Sequence, residues 1–144
     1  MFKIKEIQIY NIGLPLQQTI RMSKVTIERS NSILVKVLSY DNDFGWGEAA
    51  SSLSMTGESG VGMVQALNYI KEMLIGIEVI SFDHISNLVQ TSIYGNYAAK
   101  SAIEVALIDL LGKVCKKSFS EIIGKRQREE LPIIWRIAGS KNEI

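Results

Sequence analysis

Residues 96–115, NYAAKSAIEVALIDLLGKVC, decide the fold. Ala99, Ala102, Ile103, Ala106, Leu107, Leu110, Leu111 and Val114 recur at spacings of three and four, the period of a helix rather than a strand. The stretch is apolar enough to be covered on more than one side, so it is expected to be the core helix. Asn96 is placed to cap it by accepting an unpartnered backbone N–H, with Gly95 as a free turn before it. Small residues at 98, 99, 102 and 106 let another element approach closely, while bulky residues at 103, 107, 110 and 111 fill the space around it.

Toward the N-terminus the alternation is that of strands. Ile7 and Ile9 alternate with Glu6 and Gln8, whereas Phe2 and Ile4 run in the opposite phase, which predicts a first strand that bulges or changes face near Lys5. Leu14-Pro15-Leu16 is read as its end, because proline cannot donate to a sheet ladder, and residues 17–32 as a polar loop. Ile33, Val35 and Val37 interleave with Leu34, Lys36 and Leu38 in a second strand, apolar on both faces and so expected to be covered on both. Asp41-Asn42-Asp43 is a hairpin turn and residues 44–49 a third strand.

From residue 50 onward the period is helical. Thr56 is read as the cap of a helix bearing Met63, Ala66, Leu67, Ile70 and Leu74 and ending at Gly76, its first turns weakened by Gly60 and Gly62. Ser81 caps a short helix with Ile85, Leu88 and Val89 inward. Beyond the core helix, Ser118 and Glu121 make a capping box for a last turn ended by Gly124. The apolar run Leu131, Ile133, Ile134, Trp135 and Ile137 reads as a strand with no neighbours of its own. It must join the first sheet, pair with another chain, or have lost its partners to truncation.

The 144 residues suffice for one domain with a real core. A net charge of +1, from 16 basic and 15 acidic side chains, gives no reason to expect a nucleic-acid or membrane partner. Lys125, Arg126 and Arg128 are followed at once by Glu129 and Glu130 and read as a solvated turn. The single cysteine, Cys115, excludes an internal disulfide; on the apolar helix it is expected to be a buried thiol in a reducing compartment, and the expected localisation is cytoplasmic. No run is apolar enough to span a bilayer, and MFKIKEIQIY alternates charge with apolar residues, unlike a signal peptide.

Familiar catalytic patterns are absent. His84, the only histidine, sits at a helix start in a capping or surface setting, and nothing has metal-ligand spacing. Asp41-Asn42-Asp43-Phe44-Gly45 starts like a calcium loop but lacks its later ligands, and Gly57-Glu58-Ser59-Gly60 is not a nucleophile elbow. Asp109, four residues before Lys113, reads as a structural ion pair; an independent enzyme using Asp109 or Glu48 as acid or base is the weakest alternative. Two stretches, 19–26 (TIRMSKVT) and 51–57 (SSLSMTG), mount hydroxyls and apolar side chains at the ends of regular elements, as recognition loops do.

Four motifs occur in order: Gly45-Trp46-Gly47-Glu48-Ala49; Met55-Thr56-Gly57-Glu58; Gly95-Asn96 with Ala98 through Asp109; and Ser120-Glu121-Ile122-Ile123-Gly124. Together they resemble the N-terminal domain of the enolase superfamily, and within it the muconate-lactonizing and mandelate racemase-like group of cycloisomerases, epimerases and racemases. The resemblance implies an α+β fold: a three-stranded antiparallel sheet followed by a helical bundle. It makes 1–124 a capping domain, with the sheet over about 1–50 and helices over about 56–124, and 125–144 a linker and the first strand of a missing C-terminal barrel. That barrel would supply the base and the carboxylates for a divalent metal, usually magnesium, in abstracting a proton next to a carboxylate. The fragment is then expected to hold no cofactor or catalytic residue and to be inactive alone.

The resemblance further implies that the two loops select a small carboxylate substrate. The candidate substrate-binding residues are Arg21, Ser23 and Lys24 in the first loop, Met55 and Thr56 in the second, and Arg136 at the end of the barrel strand, where a guanidinium suits either a substrate carboxylate or a structural ion pair. Thr19-Ile20 stands where many relatives have Pro-Phe, and dipeptide epimerases tend to place an arginine near the position of Val25, a departure that speaks against a dipeptide substrate. The parent is expected to be a homo-oligomer. The alternative is a non-catalytic binding or self-association module that keeps the capping fold.

Overall fold

The computed structural model describes residues 1–22, 25–125 and 127–134. The architecture is α+β: strands β1 (Phe2–Met22), β2 (Val25–Ser39) and β3 (Phe44–Ala50), helix α1 (Gly60–Leu74), strand β4 (Glu78–Val79), then α2 (Phe82–Ser92), α3 (Tyr97–Cys115) and α4 (Phe119–Ile123). The sheet is antiparallel with spatial order β3-β2-β1-β4. Four strands replace the expected three. Gly76, at φ 83°, turns the chain after α1 back onto the edge of β1, where Gly76 N–H donates to the Ile4 carbonyl and Ile4 N–H to that of Ile77. Val79 then pairs with Phe2.

The expected core helix is α3, with Ala99, Ala102, Ile103, Ala106, Leu107, Leu110 and Leu111 all buried. β3 lies directly on it. Gly45 and Gly47 face the helix so closely that a Cβ on Gly47 would run into the carbonyl oxygen of Ala102, and one on Gly45 into that of Ala106. Glycine on the strand and alanine on the helix therefore set the sheet-to-helix distance. Ile4, Ile7, Ile33, Val35 and Val37 from the sheet, and Met63, Leu67, Ile70, Ile85 and Val89 from α1 and α2, complete one core.

Several details differ from the sequence reading. β1 does not stop at Pro15. It runs on to Met22, because beyond Ile4 it pairs on one side only, so a residue without an N–H is tolerated at that free edge, next to a register irregularity. The expected loop over 17–32 is thus the end of β1 and the start of β2. The irregularity foreseen near Lys5 is present, as a register shift between Ile4 and Glu6. Among the described residues no helix covers the outer sheet face; Leu34, Lys36 and Leu38 are only half-buried. There Tyr10 stacks at 5.9 Å on Trp46, and Lys36 lies 4.5 Å over the Phe44 ring.

Helix caps also shifted. Ser59, not Thr56, caps α1, its Oγ accepting from Gly62 N–H at 3.0 Å. Asn96 adopts the left-handed conformation (φ 53°) and gives no side-chain cap. Ser81 caps α2 and Glu121 forms the expected box at α4, its carboxylate accepting from Ser118 N–H at 2.8 Å and Ser118 Oγ at 2.6 Å. Those bonds from Ser118, aided by Lys117, lower the Glu121 carboxyl below its ordinary pKa. Cys115 is exposed rather than buried: it ends α3, where Lys116 turns the chain away with φ 55°. Residues 131–134 form no strand, and Leu131, Ile133 and Ile134 are exposed; the rest of the run from Trp135 lies outside the described residues.

Candidate functional site

Both long strands outrun the helices. Past Ile12 opposite Ser32, β1 and β2 continue as a two-stranded ribbon, with Pro15 opposite Arg29 and then Ile20 opposite Ile27, so that β1 spends five residues where β2 spends two. Arg29 Nη2 donates across the ribbon to the Gly13 carbonyl at 2.6 Å. Most ribbon side chains are exposed, and two strands alone are marginal in water, so the ribbon depends on the sheet at its base.

The segment after β3 folds back beside it. Ser51 N–H donates to the Asn31 carbonyl of β2 at 3.0 Å, and Ser52 N–H to that of Glu58 at 3.1 Å, closing the base of a loop. Within it Met55 and Thr56 N–H both donate to the Ser52 carbonyl. Between ribbon and loop lies an open cleft of about 550 Å³, lined by Val25, Thr26, Ile27, Glu28, Arg29 and Asn31 on one wall and Ser51, Ser52, Leu53 and Ser54 on the other. Hydroxyls, short apolar groups and one pair of opposite charges suit a small polar ligand. No group of three or more His, Cys, Asp or Glu converges among the described residues, so those residues do not fit a divalent metal.

The candidate residues fall out unevenly. Arg21 lies on β1 opposite Thr26, exposed on the ribbon but outside the cleft lining. Met55 stands at the loop tip, 80% exposed. Thr56 is turned into the loop: its Oγ1 donates to the Ser52 carbonyl at 3.1 Å and accepts from Glu58 N–H at 3.4 Å. Ser23, Lys24 and Arg136 lie outside the described residues. Of the cleft lining, Val25, Thr26 and Ser51 through Ser54 fall within the two stretches read as recognition loops, whereas Ile27, Glu28, Arg29 and Asn31 were not singled out from sequence, because their role follows from a ribbon that Pro15 disguised. Asp109 is a structural ion pair as read, bonding Lys113 Nζ at 2.7 Å and accepting from Trp46 N–H at 2.8 Å. Glu48 is exposed; the His84 ring is half-buried, and its Nδ1 has no hydrogen-bond partner among the described residues.

A sheet over one central helix, overhung at one end by a ribbon and a loop, is the fold of an enolase-superfamily N-terminal capping domain. The profile described as "Mandelate racemase / muconate lactonizing enzyme, N-terminal domain" matches residues 4–124, and the chain belongs to that family. Muconate cycloisomerase 1 of Acinetobacter baylyi is 29% identical over 143 residues, covering 96% of this chain and 39% of that one. N-succinyl-L-Arg/Lys racemase of Bacillus cereus is 32% identical over 143 residues, covering 97% and 39%; its crystal structure gives a TM-score of 0.74 over 78% of this chain and 31% of that one. A dipeptide epimerase from Cytophaga hutchinsonii, complexed with Mg and the dipeptide D-Ala-L-Val, is 26% identical with a TM-score of 0.74, covering 80% and 31%. The chain thus spans about two-fifths of the length of these curated relatives. No helix among the described residues is long and apolar enough to cross a membrane.

Proposed function

We propose that this chain is the substrate-selecting cap of an isomerase or lyase that removes a proton next to a carboxylate. The base and a magnesium site would lie in a C-terminal barrel outside these 144 residues, with residues 1–124 as the cap and 125 onward leading into the barrel. The observation that carries the reading is the cleft between ribbon and loop at the end of the sheet, in a chain whose fold belongs to this family. In the parent, a divalent metal supplies positive charge against the negative charge that develops on the carboxylate as the proton leaves. The cap's own residues do the rest of the selecting: Leu53 and Met55 offer apolar surface over a bound substrate and exclude water, while Arg21, Ser23, Lys24 and Arg136 offer donors to its polar groups.

The substrate class is a small carboxylate, in line with the succinylated amino acids, dipeptide and muconate in the relatives' names. The test is exchange of the α-proton with solvent deuterium, or lactone formation from muconate, in magnesium. The 144-residue chain alone should give neither. The full-length product of the gene, read on past the codon for Ile144, should act on at least one class, and Met55→Ala there should raise KM more than it lowers kcat. Turnover by the 144-residue chain alone, or a full-length product inert on every class, overturns the proposal.

A second reading rests on Leu131, Ile133 and Ile134, which are at least three-quarters exposed. Such a strip favours burial against another surface, and self-association of the chain through it is the non-catalytic alternative.

A further inference from the structure

The first free N–H groups of α3 need an acceptor, and Asn96 does not supply one. Glu58 does, from 40 residues away: its Oε2 and Oε1 lie 3.0 and 3.2 Å from Ala98 N, in reach of the same N–H. Glu58 is also the residue whose carbonyl closes the loop by accepting from Ser52 N–H, and whose own N–H meets Thr56 Oγ1. One residue therefore joins three things: the base of the loop, the hydroxyl inside it, and the end of the most buried helix in the molecule.

The remaining supports flank the same loop. Ser51 N–H holds it to β2 on one side, and Ser59 Oγ, capping α1, holds it on the other. The tip is bonded within its own loop, through Met55 N–H and the Ser52 carbonyl, and there the side chains of Leu53 and Met55 project, 69% and 80% exposed. A tip of two exposed apolar side chains has no packing to fix its position, so its position is inherited from the base. We propose that Glu58 is a positioning residue: by tying the loop to α3, it fixes where Leu53 stands in the cleft wall and Met55 at the tip beside it, and so tunes which substrates fit. The tether itself depends only on the geometry; its effect on selection rests on the reading of the cleft as substrate-facing.

Backbone exchange in the 144-residue chain tests the tether without any substrate. In Glu58→Ala, the amides of Ser52, Met55 and Thr56 should exchange at least tenfold faster than in the parent, while those of Ile103 and Leu107 inside α3 change less than threefold. Glu58→Gln keeps a side-chain oxygen that can accept from Ala98, and should restore loop exchange to within threefold of the parent. Unchanged loop exchange in Glu58→Ala, equal acceleration of loop and α3, or failure of the glutamine to rescue each overturns the proposal. In the full-length enzyme Glu58→Ala should raise KM at least fivefold with kcat within twofold; a fall in kcat at unchanged KM overturns the positioning role. An enzyme with no turnover of any carboxylate substrate would fail the cap reading while leaving the exchange result standing, so the two failures are separable.

Discussion

Gly47 carries more of the architecture than any larger residue of β3. Its missing side chain is what lets the strand rest on the backbone of α3, and the obstacle a Cβ would meet is a carbonyl oxygen of an otherwise rigid helix, which has no rotamer to give way. Gly47→Ala is therefore expected to cost about 3 kcal/mol, the upper end of what overpacking usually costs. Gly60→Ala is the control. Its Cβ would find only Ile33 Cδ1 at 3.9 Å, and the change should be neutral or stabilising by about 0.4–1 kcal/mol. Urea unfolding midpoints compare the two; equal and small effects would mean that β3 can lift off the helix at little cost. At this scale the sequence was only partly legible. The small residues of α3 announced a close neighbour, and that neighbour is β3. The cap of the same helix was misassigned to the adjacent Asn96, because an acceptor 40 residues away leaves no local pattern. Cys115 was misplaced for the opposite reason: the apolar period continues through it after the core that would bury it has ended.

Among the elements, β3 is one of the two edge strands, and edges invite other strands. The helix beneath it also guards that edge. Asp109 accepts the outward Trp46 N–H and Lys113 Nζ donates to the Phe44 carbonyl at 3.0 Å, so one i,i+4 pair of α3 occupies a donor and an acceptor that a foreign strand would need. Asp109→Ala should cost about 1–3 kcal/mol, since it unpairs a charge-assisted bond to backbone, and should promote association. Asp109→Asn should cost less, because the amide oxygen can still accept from Trp46. Urea midpoints and light scattering read both effects, and an alanine variant as stable and as monodisperse as the parent would remove the edge-guarding role. The elements themselves were legible where one face is buried: β2, β3, α2 and α3 follow their periods. The ribbon was not, because it buries almost nothing and so has no apolar alternation to show, and its proline sits at a free edge where proline does no harm. β4 escaped notice because two residues have no period.

For the whole molecule, the question is where the self-sufficient unit ends. The sheet, the four helices and the buried core all lie within residues 1–124, and the family match covers 4–124. The described residues after Gly124 add no strand or helix. Leu131 lines a shallow cleft together with Ile123 and Gly124, while Ile133 and Ile134 face solvent. Exposed apolar side chains contribute little to folding but favour association. Removing residues 125–144 is therefore expected to leave the thermal midpoint within about 4 °C, because among the described residues of that segment the partial burial lost at Leu131 is worth less than about 1 kcal/mol, and 1 kcal/mol shifts the midpoint of a domain this size by about 2–4 °C. The same deletion should lower any concentration-dependent mass seen by light scattering. If the shortened chain melts more than about 8 °C lower, the tail is part of the fold rather than a strip awaiting another surface. A cap that is whole without its tail would also explain the exposure of the ribbon and of the loop tip: all three present side chains that this domain, closed around its own core, does not need.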